Sequence, residues 1–281
     1  MTTIIAELGI NCNGSLEIAK QLMDMAKECG ADFVKFQKRT INVVYTTEEL
    51  DKPRDSPWGT TTREQKHGLE FQRKDYDEID KYSRYIALPW FASAWDLGSL
   101  QFLDAYDLPC HKVASPMITN LEFCEEVAKR KKLTYISTGG LDDLCMVHKV
   151  VNKFKYHECP ICLMHCVLEY PCPPENSNLS MIRVLEKEFP GVPIGFSSHA
   201  VSPIVGYAAA FMGARAIETH ITLDRSMYGS DQSASLEKSG LEKLVDYCKI
   251  ANVVKGDGIK RMTEKERANA RKLRYWENVI G

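Results

Sequence analysis

Two histidines and two lysines lie where the sequence reads as the ends of buried strands. His199 closes the run PIGFSS, and His220 sits in AIETHI. A single strand histidine is explained by a core hydrogen bond. Two imidazoles at neighbouring strand ends could instead share a metal. Glu7 lies at the end of the first run, beside the last one if the sheet closes on itself. Two histidines with a nearby carboxylate suit manganese, magnesium, iron or zinc with open coordination positions. The lysines are Lys35 in FVKFQK and Lys112 in CHKVAS. A buried ammonium is costly unless paired with an anion. Together with Ser93, Ser115, Ser137 and Ser197, the pair would suit a ligand bearing both phosphate and carboxylate. Salt bridges to Glu7 or Glu169 are the structural alternative.

Parity decides which of these residues point together. Residues two apart on a strand share a face, so Lys35 goes with Gln37, Ser197 with His199, and Glu218 with His220. Lys112 and Ser115 are three apart and share a mouth only if the strand bends or ends between them. The remaining polar residues at strand ends are Asn11, Asn13, Thr138, His165, Glu169, Tyr170 and Asp224.

Eight β-type runs must position these side chains: 4–10, 33–38, 90–95, 110–115, 134–139, 162–167, 193–198 and 216–221. Segments of helical period, such as LEIAKQLMDMAKECG and LEKLVDYCKIANVVK, fill most gaps. Gly30 and Gly213 stand where helix C-terminal glycines stand. Eight such units in about 250 residues indicate an α/β chain folded as one (β/α)8 TIM barrel. A doubly wound open sheet is the alternative, but no G-x-G-x-x-G follows the first strand. Residues 39–74 form the longest interruption, read as a loop and a candidate lid on the active face. The helix after it is read in DYDEIDKYSRYIA, and the tail from Glu264 as one short helix.

The chain has 281 residues, 44% of them hydrophobic, and a net charge of −2 with its signs well mixed. Nothing in this points to nucleic acid or a membrane surface. The start MTTIIAELGI lacks a basic leader and a long apolar segment, so a cytoplasmic protein is expected. The ten cysteines are expected as free thiols. Cys162 and Cys166 share one strand face and read as small packing residues rather than zinc ligands.

In order, the segments AELGINCNG, ADFVKFQ, HKVAS, STGG, MHCVLEYPCPPENSNL, GFSSH and ETHITLDRSMYGSDQSASLE cover nearly the whole chain. As a set, they resemble the sialic acid (N-acetylneuraminate) synthase family. The resemblance implies condensation of phosphoenolpyruvate with N-acetylmannosamine or a related aldehyde amino sugar, giving a nonulosonic acid and phosphate. It implies a divalent metal, usually manganese, with magnesium, cobalt or zinc as alternatives. By motif, His199 and His220 correspond to metal ligands. Lys35, Ser93, Lys112, Ser115, Ser137 and Ser197 correspond to the phosphoenolpyruvate shell. Glu7, Lys112 and His220 take catalytic positions, and Gln37, Tyr170 and Asp231 fall at the acceptor sugar. A homo-oligomer is implied as well.

The departures fall on the sugar side and on packaging. Asn11-Cys12-Asn13-Gly14 replaces N-H-N-G, Met117 replaces a sugar-contacting glutamate, and Gly229-Ser230-Asp231-Gln232 replaces G-P-D-H. Neither the N-terminal hairpin nor the C-terminal antifreeze-like domain common in the family is expected here. Two other functions are compatible with the residues. One is a lysine Schiff-base aldolase on the same fold. The other is a non-catalytic barrel that binds a sugar or phosphate.

Overall fold

The computed structural model describes residues 2–274 and 276. Eight parallel strands close into a barrel: β1 (Thr3–Glu7), β2 (Phe33–Lys38), β3 (Trp90–Ala94), β4 (His111–Val113), β5 (Thr134–Ser137), β6 (Ile161–Cys166), β7 (Ile194–Ser198) and β8 (Ala216–His220). β8 pairs with β1, which closes the ring and excludes the open doubly wound sheet. Every strand matches one of the eight runs. Their near-continuous apolar character is that of strands covered on both faces.

The helices follow from local signals. Leu16–Cys29 is capped by the Ser15 hydroxyl and stopped by Gly30 at φ 83°. Its buried face is Ala19, Leu22, Met23 and Ala26, a helical repeat. Pro203–Met212 starts behind Ser202 and ends at Gly213 at φ 117°. Both glycines occupy the left-handed conformation that ends a helix without a Cβ clash. No helix among the described residues is long and apolar enough to cross a membrane.

Parity inside the barrel holds throughout. The lower interior is plugged by Phe33, Phe91 and Tyr135, with ring centroids 5.8 Å apart in each successive pair. Polar side chains begin one layer above, toward the strand C-termini. β4 ends at Val113, and a short 3-10 turn (Ser115–Met117) follows. That turn resolves the three-residue spacing of Lys112 and Ser115, since both now face the mouth.

The stretch 39–74 is a structured insert rather than a loop. It holds helical turns at Ile41–Val44 and Thr47–Leu50, an antiparallel hairpin (Pro53–Ser56 with Gly59–Thr61) and the helix Thr62–Leu69. Thr61 and Glu64 form a capping box on that helix, set among Pro, Gly and charged residues that read as loop. The next helix is Arg73–Ile86, two residues earlier than expected. The tail helix is Glu264–Leu273; residues 275 and 277–281 lie outside the described residues.

Candidate active site

The barrel mouth encloses a cavity of about 310 Å³. Its wall includes Glu7, Lys35, Gln37, Ser93, Lys112, Ser115, Ser137, Tyr170, Ser197, His199 and His220, together with Trp95, Cys166 and Glu218. Every candidate carried to the site by motif therefore lines one cavity, except Asp231. Asp231 lines an adjoining outer cavity of about 190 Å³, which shares Gln37, Trp95 and Tyr170 with the inner one.

Register explains the convergence. Glu7 pairs in register with both His220 and Lys35. Gln37, Ser93 and Lys112 follow in one row across β2, β3 and β4. Cys166, Ser197 and Glu218 form the corresponding row across β6, β7 and β8. In a closed barrel, such rows face one another across the mouth.

The lysines are held by carboxylates. Lys35 Nζ lies 2.6 Å from Glu7 Oε2 and 3.7 Å from Glu218 Oε1. Lys112 Nζ lies 2.9 Å from Glu218 Oε2. Ser197 Oγ donates to Glu218 Oε1 at 3.1 Å, and Gln37 Nε2 donates to Glu7 Oε1 at 2.6 Å. Burial alone would raise the Glu218 pKa, but Lys112 and Lys35 outweigh it and bring the carboxyl down to about 2. Burial would likewise lower the Lys35 pKa, and Glu218 and Glu7 reverse that effect, leaving it raised. Of the two carboxylates expected as lysine partners, Glu7 takes that place. Glu169 is exposed and accepts from Asn176 instead.

Glu218 is placed at the mouth by parity, which does not disclose its role. It joins β8 to both β2 and β4, a link that no local pattern announces. Trp95 is also new to the site; its indole N–H donates to Ser93 Oγ at 3.3 Å.

The histidines sit side by side, ring centroids 5.5 Å apart. Tyr170 lies tilted against His199, ring centroids 3.9 Å apart, and meets His220 edge-on at 5.9 Å. His199 Nδ1 is 2.6 Å from the Val167 carbonyl. The carbonyl can only accept, so Nδ1 carries the proton and Nε2 keeps its lone pair. Burial and the neighbouring His220 lower the His199 pKa to about 4, so the ring is neutral near pH 7. His220 Nδ1 is buried without a hydrogen-bond partner, 3.7 Å from Asp231 Oδ2. Adjacent imidazoles, the His220 ring with an orphaned nitrogen, fit a divalent cation as two of its ligands. Among the described residues, no group of three His, Cys, Asp or Glu side chains could enclose an ion. The set therefore fits a cation whose other positions go to substrate or solvent.

Several strand-end candidates lie elsewhere. His165 faces away from the mouth, with Nε2 2.9 Å from the Ser177 carbonyl. It is in register with Phe196, one residue out of phase with the polar row. Asn11 is structural and donates to the Ile221 carbonyl and to Ser235 Oγ. Asn13 ends a 3-10 turn in the left-handed conformation. Asp224 is exposed and accepts from the Ser226 amide.

A parallel barrel whose C-terminal mouth combines a buried lysine–glutamate network, a serine row and a histidine pair defines an enzyme-type site for an anionic ligand. The chain belongs to the NeuB family, whose model matches residues 22–260. It is 36% identical over 274 residues to the N-acetylneuraminate-9-phosphate synthase of Homo sapiens, covering 96% of this chain and 76% of that protein. It is 34% identical over 278 residues to the N,N'-diacetyllegionaminic acid synthase of Campylobacter jejuni, covering 95% and 81%. The crystal structure of the sialic acid synthetase of Leptospira borgpetersenii, in complex with citrate, superposes with a TM-score of 0.85 at 26% identity, covering 99% of this chain and 92% of that one.

Proposed function

We propose that this protein condenses phosphoenolpyruvate with an aldehyde amino sugar, N-acetylmannosamine or a relative, to give a nonulosonic acid and inorganic phosphate. The observation that supports this most is the single cavity in which Lys35, Lys112 and four serines face the histidine pair. Relatives that make sialic and legionaminic acids point the same way.

In this reading, Lys35 and Lys112 each use one donor on a glutamate and turn the others to the phosphate and carboxylate of the donor. Ser93, Ser115, Ser137 and Ser197 complete that cradle. Carbon 3 of phosphoenolpyruvate attacks the aldehyde, water adds at carbon 2, and phosphate leaves by C–O cleavage. The lysines stabilise the charge that develops on the departing phosphate. Glu7, in register with His220 and fixed by Lys35 and Gln37, handles the proton of the attacking water or of the new hydroxyl. Gln37, Tyr170 and Asp231 orient the acceptor.

Charge also favours a metal. Lys35 and Lys112 are balanced by Glu7 and Glu218, and His199 is neutral, so the inner mouth has no surplus positive charge for an anionic donor. A divalent cation on His199 and His220, manganese by family likeness, would supply that charge and polarise the aldehyde as a Lewis acid. Glu218 and Glu7 keep Lys35 charged, which disfavours Lys35 as the nucleophile of a Schiff-base aldolase, because a nucleophilic amine must be neutral.

The test is phosphate release from phosphoenolpyruvate by chelator-stripped protein, with manganese restored and a panel of hexosamine acceptors. Release is expected only with both metal and sugar. It should fall by at least about 100-fold in His199→Ala and His220→Ala, the scale of a lost transition-state contact. Borohydride treatment with a carbonyl substrate should leave the mass of the chain unchanged. Metal-independent turnover, or a trapped lysine adduct, would overturn the reading.

A further inference from the structure

Asn11 lines neither cavity, yet its structural role reaches into the mouth. It follows Glu7 closely, in the 3-10 turn Gly9–Cys12. Its amide nitrogen makes two hydrogen bonds across the seam between β1 and β8. One goes to the Ile221 carbonyl at 2.9 Å, the other to Ser235 Oγ at 2.8 Å. A carbonyl only accepts, so the amide cannot stand the other way round. Asn11 Oδ1 is buried with no hydrogen-bond partner among the described residues. A buried acceptor left unmet is unfavourable, so the value of this side chain lies in its two donations. Both land on the segment that carries Asp231. Ile221 directly follows His220, and its amide donates to the Glu7 carbonyl at 2.9 Å. Ser235 Oγ donates its single proton to the Asp231 carbonyl at 2.6 Å, so toward Asn11 it can only accept. Gln232 is a parallel strut, its Nε2 donating to the carbonyls of Asn11 and Tyr228, each at 3.3 Å. Asn11, Gln232 and Ser235 are at most 1% exposed. At the end of this chain, Asp231 Oδ2 lies 3.7 Å from His220 Nδ1, and Ser230 Oγ donates to Oδ1 at 2.8 Å.

We infer that Asn11 is a positioning residue, which acts through Ser235 to set where Asp231 stands relative to Glu7 and His220. This rests on the synthase reading above. Glu7 and His220 need no such help, because they pair in register on adjacent strands. Asp231 has no strand to hold it. It sits in an irregular loop closed by a bridge between Ile221 and Leu236. A group displaced by about 1 Å loses its alignment with a bound substrate, so the loop must be tied to the frame that holds the other two. Asn11 is that tie, since one side chain grips both the end of β8 and the far side of the loop. The donor cradle stands on other elements, with Lys35 on β2, Lys112 on β4 and Ser197 on β7. Cutting the tie therefore weakens the acceptor and spares phosphoenolpyruvate.

The experiment measures the two KM values separately in wild type, Ser235→Ala, Asn11→Asp and the double variant, with phosphoenolpyruvate and the hexosamine acceptor that wild type consumes. Ser235→Ala cuts only the link to Asp231. Asn11→Asp keeps the shape of the side chain but turns an acceptor toward the Ile221 carbonyl. Each should raise the acceptor KM by about tenfold, the scale of one lost hydrogen bond. The KM for phosphoenolpyruvate should stay within about twofold of wild type. The double variant should be little worse than either single one, because both break the same chain. A residue that only stabilises the fold would lower the urea midpoint and the active fraction, and would leave both KM values in place. An unchanged acceptor KM in Ser235→Ala, or a phosphoenolpyruvate KM that rises in step with it, would overturn the inference and leave the synthase reading standing. If Asn11→Asp does not fold, Ser235→Ala decides alone. A wild-type chain that consumes no phosphoenolpyruvate with any acceptor overturns the synthase reading, and the inference falls with it.

Discussion

Glu218 is the side chain on which the charge arrangement of the mouth depends, because among the described residues it alone is ion-paired with both lysines. Removing one member of a buried ion pair leaves its partner charged and desolvated, at a cost of about 3–5 kcal/mol. Glu218→Ala should show that loss in urea unfolding. Glu218→Gln should lose a comparable amount, since it keeps the size of the side chain but removes its charge and turns one of the two accepting oxygens into a donor. If the glutamine variant unfolds within about 1 kcal/mol of wild type, the lysines find adequate counter-charge at Glu7 or in solvent. At this scale the sequence was informative about identity. Parity placed Lys35, Gln37, Ser197, His199, Glu218 and His220 on one face each, and they stand there. His165 was misassigned because strand-end position was read without its register, and one residue of phase turns a side chain outward.

The insert 39–74 is where pattern reading lost most. Its composition reads as loop, yet it folds because short elements brace one another. Trp58 meets the Tyr228 ring edge-on at 5.7 Å and backs Gly68, where a Cβ would come within 2.1 Å of the indole. Gln65 donates to the Tyr228 hydroxyl at 3.0 Å. Gly14 approaches Gly68 so closely that its Cβ would sit 1.9 Å from the carbonyl oxygen. These contacts join the insert to the loops after β1 and β8, not to the barrel core. Trp58→Ala should therefore raise amide hydrogen exchange across residues 53–69 while leaving the midpoint of global unfolding nearly unchanged. A global loss of about 3 kcal/mol or more, as for a core tryptophan, would show instead that insert and barrel unfold as one unit.

Over the whole molecule, pH stability carries a signature from the barrel wall. His111 opens β4 and is 5% exposed. Burial, then Arg130 and Lys132, lower its pKa from 6.5 to about 4. Above about pH 6.5 the ring is neutral in both folded and unfolded chains and contributes no slope. Between there and about pH 4, the unfolded chain takes up a proton that the fold refuses, so stability falls as pH falls, by up to about 3 kcal/mol. Below pH 4 both states are protonated and the slope ends. His111→Gln should lose less stability than wild type between pH 7 and pH 4.5 in urea unfolding; parallel curves would assign the acid sensitivity to other groups. The architecture itself was legible in the chain, since alternating β-type and helical runs and Gly30 and Gly213 at helix ends are local signals acting within a few residues. So were the types of side chain at each strand end, because a period of two leaves only one face for each. Barrel closure alone decided which of those side chains meet. It carried Glu218 across to Lys112, left Glu169 outside, and set Lys66 of the insert at the same outer cavity as Arg39. Such pairings depend on strand stagger and on the path of long connections, and neither is written in any short stretch of sequence.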